Sequence, residues 1–143
     1  MASILKVDEL QGIVSAGDIT VTSEGGAATQ SLQQGLAKAR VNFDGTGTIA
    51  ARDSINLSSL TDNGTGDYTV NFSSSFDNAT YNLSASTKMV TGNEGYVLSY
   101  NHSTTVTSSA MRLRHGVPGT YGSTAMSTID NNYNFATFHG DLA

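Results

Sequence analysis

Three histidines, His102, His115 and His139, are the side chains of this 143-residue chain whose ordinary titration falls near neutral pH. Each closes a stretch of alternating residues and stands beside Ser103, Gly116 or Gly140. Three imidazoles at strand ends could meet at one rim and ligate a metal ion. They are far apart in sequence, however, and lack the short spacings of a ligand set, so exposed rim side chains are expected. Oxygen donors form a second candidate, since Asp62, Asn63, Thr65 and Asp67 crowd one loop and hard cations want several oxygens. Their spacing is not that of a calcium loop, and the same residue types favour a hairpin turn. Asp53 and Asp77 also flank turns. Serine is abundant, but none sits in a nucleophile elbow, and no facing pair of carboxylates marks a hydrolase. The Gly-Thr-Gly triplets at Gly45 and Gly64 lack the lysine and following helix of a phosphate loop. Cysteine is absent, which removes thiolate catalysis, disulfides and thiolate metal sites. The expectation is a protein with no catalytic residues, no metal and no cofactor.

Binding chemistry is better supplied. Tyr96, Tyr100, Asn101 and Tyr121 lie near turns in the distal half, and such residues stack on sugar faces and hydrogen-bond hydroxyls. They are the candidate receptor contacts, against the alternative that aromatics at alternating strand positions belong to the core. Arg112 and Arg114 share a strand face and form a small basic spot, or else stay solvated or pair with carboxylates of a neighbouring subunit. Nucleic acid is not an expected partner. The formal net charge is −5, and the seven Lys and Arg residues are scattered. Charged residues are 13% of the chain, against roughly 25% in an average soluble protein. The polar surface therefore comes from Ser, Thr, Asn and Gln, and is little affected by salt. The Asn-x-Ser/Thr triplets at Asn56, Asn63, Asn71, Asn78, Asn82 and Asn101 are a by-product of that composition.

The elements that must position these residues are strands. From Lys38 to Phe72 the chain runs KARVNFDGTGTIAARDSINLSSLTDNGTGDYTVNF, which reads as consecutive strands between glycine turns. Ala39, Val41 and Phe43 share one face of the first strand. Tyr68, Val70 and Phe72 share one face of the last, behind the turn Asp62–Asp67. Tyr81, Leu83 and Ala85 repeat the alternation, as do Met111 and Leu113. Strands are also expected at Tyr96–Tyr100 and Tyr133–Gly140, with a turn at Pro118-Gly119. The last strand carries apolar residues on both faces, Tyr133 and Phe135 on one, Ala136 and Phe138 on the other, which predicts burial from two sides. Short strands with turns about every 8–12 residues predict an all-β, antiparallel β-sandwich or jelly-roll-like domain over residues 38–143.

Residues 1–37 read differently. Short apolar bursts, Ile4, Leu5, Val7 and Leu10, then Ile13 and Val14, then Ile19 and Val21, are too brief for a core. They predict an extended arm or edge strands that dock on something larger. Gly25-Gly26 reads as a hinge, and Thr29 as the cap of one short helix over Ser31–Gln34. The segment MASILKVDELQG meets Asp8 and Glu9 at once, so neither a signal peptide nor a membrane span is expected.

The Lys38–Phe72 stretch, with both glycine turns and their spacing, closely resembles a β-domain of tailed-bacteriophage virion proteins, commonly the tail-fibre proteins of marine phages. The likeness continues more loosely through Ser108–Gly116 and Ile129–Asp141. The resemblance implies a non-enzymatic structural part of a virus particle, made in the bacterial host cytoplasm and built into virions as a homotrimer. The arm would attach to other virion proteins of tail or capsid, and the β-domain would project toward a host surface glycan or protein. Alternatives are a capsid decoration or head-fibre protein and a free carbohydrate-binding module.

Overall fold

The structure is a computed structural model that describes residues 4–11, 19–23, 25–26, 28–88, 97–101, 103–117 and 127–143. The chain divides into two compact units, Met1–Leu36 and Ala37–Ala143.

In the first unit, residues 4–11 form no helix or strand. A small hairpin follows, β1 (Thr20–Thr22) against β2 (Thr29–Ser31), with Val21 opposite Gln30. The Ser23 N–H donates to the Ala28 carbonyl at 2.8 Å, so the glycines expected as a hinge belong instead to the turn of this hairpin. Thr29 is a strand residue rather than a helix cap. The helix is a single turn, α1 (Leu32–Gly35), whose first N–H donates to Ile19 O at 2.7 Å.

The second unit is an antiparallel β-sandwich. One sheet has the order β4-β3-β11-β7, from β3 (Ala39–Asp44), β4 (Ala50–Ile55), β7 (Asn82–Thr87) and β11 (Asn134–His139). The other runs β10-β9-β6-β5, from β5 (Leu57–Gly64), β6 (Asp67–Phe72), β9 (Ala110–Val117) and β10 (Ser127–Thr128), with β8 (Val97–Tyr100) also on β9. The chain passes from β4 in one sheet to β5 in the other at Asn56. This is the one non-glycine residue with positive φ, 55°, among those described. Asparagine tolerates the left-handed region because its short amide bonds locally. Here Oδ1 accepts the Ser74 N–H at 2.6 Å and Nδ2 donates to Ser74 O at 3.0 Å.

Period-two alternation sends Ala39, Val41 and Phe43 from one sheet to meet Tyr68, Val70, Phe72, Met111 and Leu113 from the other, all buried. At one end Phe72 packs edge-on to Phe76, Tyr81 and Phe138, with centroids 5.0, 5.6 and 5.0 Å away. Phe76 and Tyr81 stack at 4.2 Å. Offset and edge geometries suit the ring quadrupoles and add to the burial. Strand β11 departs from expectation. Asn134, Ala136 and Phe138 are buried, but Phe135 on the opposite face is 39% exposed. The sandwich covers that strand on one side only. The Tyr133 ring on the outer side is held by cations, with Arg52 4.4 Å and Lys88 4.9 Å from its centroid.

Candidate functional site

Of the candidate receptor contacts the structure describes two, Tyr100 and Asn101, and they are placed differently. Tyr100, the last residue of β8, is 55% exposed. Asn101 is buried, with its amide committed within the fold. Nδ2 donates to Asp67 Oδ2 at 3.2 Å, and Oδ1 accepts the Ser103 N–H at 3.0 Å. It fastens a turn, and the reading of Asn101 as a surface contact gives way to that role. Tyr96 and Tyr121 lie outside the described residues, as do Ile13 and Val14 of the arm. The arm's Ile4, Leu5, Val7 and Leu10 are all exposed, the first two by more than three quarters.

Several of the charged candidates are engaged within the chain. The turn before β6 uses Asp62 Oδ1 to accept the Gly64 N–H at 2.9 Å, while Asn63 Nδ2 donates to Thr69 Oγ1 at 2.9 Å. Asp67 receives a fork from Arg112, Nε to Oδ1 at 2.6 Å and Nη2 to Oδ2 at 2.9 Å. The carboxylate oxygens of Asp62 and Asp67 therefore serve the hairpin and an ion pair within the chain, and for Arg112 this is the carboxylate partner that the small basic spot had left open. Among the described residues no three His, Asp or Glu side chains gather where a metal could sit.

His115 lies in the interior, not on the rim, because it faces inward from β9 with Met111 and Leu113. Its Nδ1 is 2.7 Å from Ile129 O, a pure acceptor, so Nδ1 carries the proton. Nε2 is then an acceptor, 3.3 Å from the Asn131 amide and 3.2 Å from Thr87 Oγ1. Thr87 donates to Tyr133 O at 2.9 Å, and Asn131 Nδ2 also reaches Thr87 Oγ1 at 2.6 Å and Lys88 O at 2.7 Å. Burial pushes the imidazole below its usual range, against the Ile129 hydrogen bond and the Asp130 charge, which push the other way. This neutral imidazole ties β9 to β7 and to the segment before β11. Beside it, Asp130 Oδ1 accepts the Gly66 N–H at 2.7 Å and the Tyr68 hydroxyl at 2.9 Å. Burial first, and then Asp130, raise the Tyr68 phenol. The arrangement resembles an acid–base site in composition, yet its groups are occupied by one another. Sequence reasoning missed Asn131 and its neighbour Asn134, both buried, the second donating from Nδ2 to Asn131 O at 2.7 Å. The run Asp130–Asn134 was the available signal, since so many amides before a strand need partners.

A surface feature that the sequence did not announce is an open cleft of about 540 Å³ between β7 and β8. Leu83, Ala85, Leu98 and Met111 line its apolar part, and Tyr100 stands at it. Its lining includes no charged residue. Tyr81 also contributes, with its hydroxyl tied to Thr107 O at 2.9 Å and Ala110 O at 3.1 Å, and burial raises its phenol to about 12. Among the described residues β7 pairs only with β11 and β8 only with β9, and the cleft lies between these two strands.

No family model, curated protein or solved structure matches the chain.

Proposed function

We propose that this chain is a non-enzymatic structural component of a tailed-phage virion, a trimeric tail-fibre or tip-like protein. Its N-terminal arm anchors it to the particle, and its β-sandwich projects for contact with the host. The observation that carries this reading is the arm itself. Residues 4–11 lack helix and strand and hold Ile4, Leu5, Val7 and Leu10 in solvent. Covering such a side chain contributes roughly 1.5–3 kcal/mol, so four of them in one short segment favour a docked state over a free one. The resemblance of Lys38–Phe72 to phage fibre domains supplies the identity of the particle. A surface of hydroxyls and amides, with few charges for salt to screen, suits a part exposed to varying ionic strength. Tyr100, exposed at the cleft, is the host-contact candidate.

The test is deletion of Met1–Gly17 followed by particle assembly. The truncated chain is expected to stay folded and to be lost from virions. Incorporation at the normal level would overturn the anchoring role. Copy number in purified virions, measured by quantitative mass spectrometry against the major shell protein, sets the location. A small fraction of the shell protein's number is expected for a tail component, and a comparable number would move the protein to the capsid as decoration.

A further inference from the structure

The edges of the two sheets are not treated alike. Edge strand β4 carries Arg52 and Asp53, and its register against β3 shifts between Asn42 and Phe43. Edge strand β5 has register shifts in two places against β6 and includes Asp62. Strand β8 is only four residues long. Bulges, charges and shortness are the devices that stop a sheet edge from recruiting another strand. Strand β7 has none of them. Its six residues, Asn82–Thr87, contain no charge and no proline, and pair with β11 in unbroken register from Asn82↔His139 to Thr87↔Asn134.

The phase of that ladder shows what β7 presents. The Lys88 N–H donates to Tyr133 O at 3.2 Å, and the register continues one for one. Ser86, Ser84 and Asn82 therefore turn their backbone groups toward β11, while Leu83 and Ala85 turn theirs to the opposite side, where no described strand pairs with β7. The side chains of Leu83 and Ala85 are only half-buried and line the cleft. An edge with outward N–H and C=O groups and an incompletely covered apolar face is a seat for an extended strand with alternating apolar residues.

The same chain carries such a segment. Ile4, Leu5 and Val7 are 78%, 77% and 51% exposed and belong to no strand. In an extended conformation Leu5 and Val7 share one face, with Lys6 on the other. We infer that residues Ile4–Val7 of one copy add as a strand to the β7 edge of a neighbouring copy. Leu5 and Val7 then cover Leu83 and Ala85, and Lys6 stays in solvent. A cleft without charged lining has no partner for Asp8 and Glu9, so the pairing ends before them. Leu10 lies beyond the pairing and stays exposed in this arrangement. Because the two surfaces differ, the contact is heterologous, and passing the arm around a ring closes an oligomer without a twofold axis. The inference rests on the arm being an assembly segment and names its partner.

The experiment uses the full chain and two variants, with mass measured by light scattering and amide exchange followed in solution. Ala85→Pro removes an N–H on the open side of β7 and leaves the β11 ladder intact, a position where an edge strand accepts proline. The double variant Leu5→Asp/Val7→Asp spoils the arm and leaves the edge. The wild type is expected as an oligomer with slow exchange at Leu83 and Ala85, and each variant at the mass of one chain. Mixing the variants one to one is expected to restore only a two-chain species, since one still donates an arm and the other still accepts it. Misfolded variants would not complement in this way. A wild type at the mass of one chain, with or without protected β7 amides, would overturn the inference. So would variants that stay oligomeric, or a mixture that never associates. Absence of the chain from virions would sink the phage reading and leave this result standing.

Discussion

Acidification should loosen the lock around His115 before it affects the carboxylates. In the folded protein the imidazole is buried and neutral, with Nδ1–H donating to Ile129 O and Nε2 facing the Asn131 amide and Thr87. Protonation at Nε2 would set its N–H against the Asn131 N–H donor. The folded pKa is therefore depressed below that of the unfolded chain, about 6.5. Below pH 6.5 the unfolded state takes up a proton that the folded state refuses, so stability is full above this pH and falls as pH drops toward the folded value. One proton tilts stability by at most about 1.4 kcal/mol per pH unit, which bounds the slope. Asp44 and Asp53 act in a lower window. Hydrogen bonds from Thr46 and Arg40, respectively, depress their carboxyls below 3.8, so their contribution is present above that value and lost beneath it. Urea unfolding at pH 7.5, 6.5, 5.5 and 4.5 reads the slope directly, with His115→Gln as the comparison. The wild type should hold its stability from pH 7.5 to 6.5 and lose it below, and the variant, less stable at pH 7.5, should be flatter. A wild-type profile level from 7.5 to 4.5, or a variant with the same slope, would refute the assignment of a buried neutral imidazole.

Phe138, fully buried among Phe72 and Tyr81 on an inner strand, should lose about 3–5 kcal/mol when replaced by alanine, read as a lower urea midpoint. Gly66 has φ 63°, and a Cβ there would overlap the backbone of His115 and Ile129. Gly66→Ala should therefore cost about 1–2 kcal/mol for the left-handed conformation, and more for the overlap, and a shift in thermal midpoint of under a degree would count against this packing. Tyr100→Ala should stay within roughly 0.5 kcal/mol of the parent while weakening adsorption to host cells, and unchanged adsorption would remove Tyr100 from the contact surface.

The sheet core was legible in the sequence because strand burial is a local, period-two code. Ala39, Val41 and Phe43, and Tyr68, Val70 and Phe72, alternate with polar neighbours, and each set is buried as its spacing predicts. The turn at Asp62–Asp67 was equally local, since Asp, Asn and Gly have their conformational preferences wherever they stand. What the sequence left open depends on which strands become neighbours. His115 is interior because β9 lies inside its sheet and the segment before β11 brings Ile129 and Asn131 to the ring, residues 14 and 16 positions away. Asn101 is a turn fastener because β6 delivers Asp67 from 34 positions away. Phe135 is 39% exposed because it lies on the outer face of β11, away from the facing sheet and stacked on Tyr133, a matter of layers and not of residue type. The cleft and the place of β7 at the end of its sheet among the described strands arise from sheet order, which pairing decides only when the whole chain has folded.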